Sequence, residues 1–311
     1  MLKYFYAMLV RRNKKMRKII VLALSLMLVV GLSAGAAAQD IKLGLAISTL
    51  NNPFFVDLKD GAEAMAEEMG VEILTVDAQN DAAAQLSSVE DLLIKQIDVL
   101  IVNPVDGNAV VSAITAAKDA GVPVITVDRA AEGIEVTSHI ASDNVAGGEM
   151  AGEFIAEQLG KEGKVVELQG IPGTSAARDR GKGFNQAMDK YPGMEVIARQ
   201  PAGFDRAEGM TVMENILQGN PEIDAVFAHN DNMALGAMEA IAAAGRSDEI
   251  MIVGFDAVDD AREAVKEGKM AATVAQKPGL MGEMAVETAI KVANGEEVDE
   301  YTPVPLELIT E

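Results

Sequence analysis

Residues 48–55 place two amides, a proline and two adjacent phenylalanines (Asn51, Asn52, Pro53, Phe54, Phe55) directly after an apolar run. Phenyl faces beside amide groups suit a ligand that is apolar on its faces and polar at its rim. Residues of the same character recur where later apolar runs end: Asn103, Asp128 with Arg129, Arg178, Phe204, Asn230 with Asp231, Asp256 and Gln276. Together they supply amides (Asn52, Asn103, Asn230, Gln276), carboxylates (Asp128, Asp256), guanidiniums (Arg129, Arg178) and rings (Phe54, Phe55, Phe204). A sugar matches that inventory. Each hydroxyl donates one hydrogen bond and accepts up to two. Planar carboxylate, amide and guanidinium groups bridge neighbouring hydroxyls, and the charged ones make the stronger bonds. The C–H faces of a sugar ring pack on phenyl rings. Two Asp and two Arg balance in charge, which suits a neutral ligand. Each position also has an ordinary reading: an Asp after a strand can cap a helix, Phe54 and Phe55 can plug a core, and Asn103 before Pro104 can mark a turn. The weight lies in all of them arriving at equivalent places.

The elements in front of them make those places equivalent. Residues 41–47, 71–76, 99–102 and 122–127 read as buried strands. The helix-period segments after the first three carry Leu58, Ala62, Met65 and Met69, then Leu86, Val89 and Leu93, then Val110, Ile114 and Ala117, each set on one face. A short strand at 136–140 leads into a helix at 145–159. A second series then follows, with strands at 165–168, 195–199, 225–227, 251–253 and 272–275. A last helix presents Met281, Ala285, Thr288 and Val292, and residues 303–309 close the chain as one strand. Alternation of this kind predicts an α/β protein with parallel sheets covered on both faces. A single sheet of ten or more strands would be unusually wide, so two doubly wound, Rossmann-like lobes with a cleft between them are expected. In such sheets ligands bind beyond the carboxyl ends of the strands.

The remaining composition excludes more than it specifies. No cysteine is present, which removes disulfides, thiolate metal sites and a lipidated cysteine. His139 and His229 are the only histidines, and no carboxylate spacing around them matches a metal motif, so both read as structural, with no metal or cofactor expected. A basic stretch from Arg11 to Lys18, an apolar run at 19–32 and Ala36-Ala37-Ala38 have the anatomy of a secretory signal peptide over residues 1–38, cleaved after Ala38. Its removal takes the formal charge from −22 to −29. So acidic a chain repels nucleic acid and anionic lipid.

Several stretches carry a family resemblance: Ser48-Thr49-Leu50-Asn51-Asn52-Pro53-Phe54-Phe55, Val127-Asp128-Arg129, Ser138-His139-Ile140-Ala141-Ser142-Asp143-Asn144, Thr174-Ser175-Ala176-Ala177-Arg178 and Val253-Gly254-Phe255-Asp256. In these the chain resembles the pentose- and hexose-binding proteins of bacterial ABC import, over residues 40–311. The resemblance implies a monomeric periplasmic protein that is not an enzyme and closes on D-ribose, with Phe55 and Phe204 on opposite sides of the ring. The same fold binding allose, xylose, galactose or a furanose signal is the alternative. It implies crossings between lobes at Ser142-Asp143, Gln276-Lys277 and Pro305-Leu306. One lobe would then be 40–142 plus 277–305, and the other 143–276 plus 306–311. Its partners would be an inner-membrane ABC permease and a chemoreceptor. A LacI-type regulator shares the fold but needs a DNA-reading head where this chain has its leader. An enzyme would need a nucleophile–base pair, a metal set or a phosphate loop, and none is visible.

Overall fold

The computed structural model describes residues 41–310; the expected leader and its cleavage point lie outside the described residues. The first half runs β1 (Lys42–Ile47), α1 (Pro53–Met69), β2 (Glu72–Asp77), α2 (Ala82–Ile94), β3 (Val99–Val102), α3 (Val111–Asp119), β4 (Val124–Val127) and β5 (Ser138–Ser142). The second runs α4 (Asn144–Gln158), β6 (Glu162–Gln169), α5 (Ser175–Met188), β7 (Gly193–Pro201), α6 (Arg206–Gly219), β8 (Ala225–Ala228), α7 (Asp231–Ala243), β9 (Met251–Asp256), α8 (Asp259–Lys266) and β10 (Ala272–Ala275). Then come α9 (Pro278–Ala293), β11 (Tyr301–Val304) and β12 (Glu307–Ile309).

These strands form two six-stranded sheets, ordered β11-β5-β4-β3-β1-β2 and β12-β10-β9-β8-β6-β7. All neighbours are parallel except β10 and β12. Alternate residues of a strand face opposite sides of its sheet, and helices cover both sides. In the first sheet Leu43, Leu45 and Ile47 join Leu58 and Met281 in one core, while Ala46, Leu100 and Val102 join Val89 and Ile114 in another. The second sheet is built likewise, with Val166 and Leu168 on one side and Val165, Phe227 and Phe255 on the other. This is the two-lobed α/β architecture that the alternating pattern predicts.

Several details differ from the sequence reading. On α9, Val286 and Ala289 join Met281 and Ala285 in the buried face, while Thr288 and Val292 are only partly buried. The expected closing strand at 303–309 is two strands, one in each sheet, because the chain leaves the first sheet after Val304 and re-pairs antiparallel with β10 from Glu307. The chain therefore passes between sheets three times: after β5, after β10 through Gln276-Lys277, and through Pro305-Leu306. On α1 the buried stripe is Leu58, Ala62 and Ala66, and Met69 is 51% exposed beside Gly70, whose left-handed conformation (φ 69°) ends the helix. On α2 the buried positions are Gln85, Val89 and Leu92 rather than Leu86 and Leu93. Gln85 is buried for a polar reason: its amide donates to Asn103 O at 2.8 Å and accepts from Val105 N at 3.0 Å, tying α2 to the loop after β3.

Candidate functional site

The carboxyl ends of both sheets face one narrow cleft. Asn52, Phe54, Phe55, Asp128 and Arg129 line it from the first sheet, and Ala176, Arg180, Phe204, Asn230 and Asp256 from the second, with Gln276 on a crossing segment.

Local rules fix most of these side chains. Asn52 is the N-cap of α1: its Oδ1 accepts from Phe54 N at 3.0 Å, and Pro53 fills the first helical position, where no N–H is needed. That cap sets Phe54 and Phe55 edge to face, centroids 5.2 Å apart. Asn230 caps α7 in the same way through Met233 N, and its Nδ2 donates to Phe204 O at 3.3 Å. Asp128, Phe204 and Asp256 each hold a positive φ, 62°, 58° and 111°. Non-glycine residues are rarely found there, and such strain tends to be kept at sites where it aims a side chain. Behind Asp128, Asn103 is fully buried and donates to Asp128 Oδ2 at 3.3 Å and to Val127 O at 3.1 Å.

Four charges meet in the cleft and balance. Arg129 Nε is 3.8 Å from Asp128, and its Nη1 donates to Pro104 O at 3.1 Å. Its guanidinium lies 5.0 Å from the Phe55 ring centre and 5.5 Å from that of Phe204, so it reaches the rings of both halves. Arg180 donates from Nε to Asn144 Oδ1 at 2.8 Å and from Nη1 to His229 O at 2.6 Å. Its Nη1 is 3.4 Å from Asp256, and the guanidinium stacks 3.8 Å over the Phe255 ring. Gln276 Nε2 donates to Asp256 Oδ1 at 2.8 Å. Two buried polar atoms of these residues have no protein partner, the donor Arg129 Nε and the acceptor Gln276 Oε1. Burial pushes the Asp128 carboxyl up, against the pull of Arg129, and pushes Asp256 up to about 6, against Arg180 and the Gln276 hydrogen bond. Burial also lowers Arg129 to about 10, against Asp128, which leaves it charged at neutral pH.

Nine of the residues singled out from the sequence line this cleft, and Asn103 stands one layer behind it. Arg178 does not belong to it. That side chain is half exposed and pairs with Asp179, on its own helix, and with Glu132. Arg180 occupies the position instead. Two residues on a helix are about 200° apart, so Arg178 and Arg180 point to opposite sides of α5. The buried face of α5 includes Ala177, Arg180, Gly181, Phe184 and Ala187. The three- and four-residue steps from Ala177 and Phe184 to Arg180 were the signal in the sequence. Asn144, Arg180's partner, and Gln85 were also missed. His139 bonds Thr126 Oγ1 at 2.9 Å and stacks on Tyr301, and His229 is enclosed in the second lobe.

Residues 43–297 match the sequence profile of the family described as "Periplasmic binding protein domain". The protein named Ribose import binding protein RbsB from Haemophilus influenzae is 49% identical over 296 residues, 95% of this chain and all of its own. The one of that name from Escherichia coli is 50% identical over 294 residues, 94% of this chain and 98% of its own. Among solved structures, an ABC transporter solute binding protein from Bacillus halodurans with bound myo-inositol superposes with a TM-score of 0.84 at 37% identity, covering 88% of this chain and 96% of its own. A periplasmic solute binding protein from Actinobacillus succinogenes with bound D-allose gives 0.82 at 32% identity, covering 87% and 97%.

Proposed function

The chain belongs to the periplasmic binding protein family, and from that premise we propose that it is the binding component of an ABC sugar importer with D-ribose as its ligand. The observation that carries this reading is the charge-balanced ring of Asp128, Arg129, Arg180 and Asp256, set between phenyl rings from two lobes. A neutral polyol meets such a ring without net charge. The unpartnered Arg129 Nε and Gln276 Oε1 are a donor and an acceptor that hydroxyls can satisfy. Relatives named for ribose at about 50% identity support ribose over the allose of a 32% identical structure.

Binding works by closure. The lobes, 40–142 with 277–305 and 143–276 with 306–311, turn about the three segments that pass between the sheets. Only the closed form contacts the sugar from both sides, so the sugar favours it. A membrane permease then reads the closed shape, and a leader cleaved after Ala38 delivers the protein to the periplasm. A thermal-shift panel of pentoses and hexoses tests the ligand. D-ribose should raise the melting temperature with its concentration, and a wrong epimer should raise it less because it leaves buried polar groups unpaired. A clear shift with another sugar and none with ribose would replace the ligand.

Two results should follow from the site's chemistry. Phe204→Ala removes one face of the clamp. At about 25 cal/mol per Å² of apolar area, losing that face costs about 1.5–2 kcal/mol, so calorimetry should show affinity falling roughly tenfold to thirtyfold with the other contacts in place. The second concerns pH. Sugar hydroxyls donate to ionised Asp256, so bound sugar lowers its pKa from about 6 and a proton competes with the sugar. Affinity should therefore be flat above pH 6 and fall by up to about tenfold per unit below it. Titrations between about pH 4.5 and 8 that show no such bend would remove Asp256 from the hydroxyl contacts.

A further inference from the structure

Beneath the second lobe's share of the cleft lies a buried carboxylate–imidazole pair that is not part of the cleft lining. Glu167 and His229 are both fully buried. Glu167 Oε1 is 3.0 Å from His229 Nε2 and accepts from Gln169 Nε2 at 3.3 Å. Its Oε2 accepts from Arg199 Nε at 3.1 Å and Asn185 Nδ2 at 3.2 Å. A carboxylate with that many donors has no proton to give, so His229 Nε2 must carry one. On the other side of the ring, Gly170 N–H points at His229 Nδ1 at 3.3 Å, which requires a bare Nδ1. One neutral tautomer satisfies both neighbours.

Gly170 connects that ring to the cleft. A Cβ placed on Gly170 would stand 2.0 Å from Phe204 Cζ, so the tip of the Phe204 ring rests directly on this backbone. Helix α5 passes the pair equally closely: a Cβ on Gly181, next to Arg180, would lie 2.9 Å from Glu167 Oε1 and 3.2 Å from His229 Cε1. The residue after His229 is Asn230, which donates to the Phe204 carbonyl. The pair sits among Phe184 and Phe227, where an apolar residue would be the cheaper filling.

We propose that the His229 imidazole, fixed in its Nε2–H tautomer by Glu167, is a positioning residue for sugar binding: its Nδ1 holds Gly170, and Gly170 sets the height of the Phe204 ring. The idea rests on the sugar-binding reading above. The two halves of the imidazole can be mimicked separately. His229→Asn keeps an acceptor near Nδ1 but does not reach Glu167, and His229→Gln keeps a donor near Nε2 but loses the acceptor for Gly170. With D-ribose in calorimetry, His229→Gln should lose about tenfold in affinity, and His229→Asn should stay within about threefold of wild type, even where it melts no higher. If the ring only filled space, affinity would follow melting temperature across the two variants; equal losses, or the reverse order, overturn the proposal. Imidazole ¹⁵N spectra of the unliganded protein should show Nδ1 bare and Nε2 protonated. The opposite tautomer, or a charged ring at neutral pH, sinks the inference whatever sugar binds. A wild-type protein that binds no sugar of the panel sinks the ribose reading instead, and the nitrogen spectra still decide the tautomer.

Discussion

Arg180→Ala should reduce D-ribose affinity by a hundredfold or more, and Arg178→Ala should stay within about fivefold of wild type. Arg180 is buried, and its partners are Asn144, the His229 carbonyl and Asp256. Its removal takes a charged donor from the sugar and leaves Asp256 without its cation. Breaking one side of a buried pair costs about 3–5 kcal/mol, which is roughly two to nearly four orders of magnitude in affinity when the loss falls on the bound state. Arg178 faces away. Its side chain is 52% exposed and pairs with Asp179 and Glu132, and exposed pairs contribute about 0–1 kcal/mol. Glu132 follows β4 of the first sheet and Arg178 lies on α5 of the second half, so the small effect that remains should act on closure rather than on the sugar. Calorimetry on both variants decides, with circular dichroism to show that each is folded. Wild-type affinity in Arg180→Ala, or loss in Arg178→Ala alone, would return the site to the other arginine.

That pair of arginines also shows what could be read without coordinates. Strand ends were legible, because a buried parallel strand is an unbroken apolar run and a polar residue within a few positions of its end sits at the cleft. Asn52, Asp128, Asn230, Asp256 and Gln276 were found in this way. Position along a helix was less legible, since Arg178 and Arg180 lie in one polar-looking segment whose mean character hides its buried face. Only stepping by three and four from Phe184 separates them. Gln85 and Asn144 were missed because a buried amide looks like a surface residue until its partner is known, and their partners are distant in the chain: Asn103 for Gln85 and Arg180 for Asn144. The apolar pattern alone fuses the two closing strands, because it carries no mark of a change of sheet; only the family resemblance placed a crossing at Pro305-Leu306, where the pairing partners do change.

The glycines of the helices carry a constraint as severe as any site residue, and Gly183→Ala should show it. A Cβ on Gly183 would fall 1.9 Å from Val145 O, and one on Gly148 would fall 2.0 Å from Arg180 O. Helices α4 and α5 thus cross with backbone against backbone. The same holds where α1 meets α9, with Gly282 against Leu58 O at 2.1 Å, and where α6 meets α7, with Gly236 against Arg206 O at 2.0 Å. The helices locked in this way are those that begin at Phe54 and Phe55, carry Arg180, follow Phe204 and start from Asn230. Close contact between helices is what holds the cleft residues in place. No rotamer change can relieve a methyl group pressed on a carbonyl, so α5 must move outward and carry Arg180 with it. Overpacking of this kind costs about 3 kcal/mol or somewhat more, equivalent to a fall of roughly 6–10 °C in Tm for a chain of this size. Ribose affinity should fall in the same variant. Gly219→Ala is the control, because nothing lies within 4 Å of the added atom and that glycine has no positive φ; its Tm should stay within about 2 °C of wild type. If Gly183→Ala melted with the control and bound ribose as wild type does, the two helices would be free to separate, and the position of Arg180 would have to be fixed by its hydrogen bonds alone.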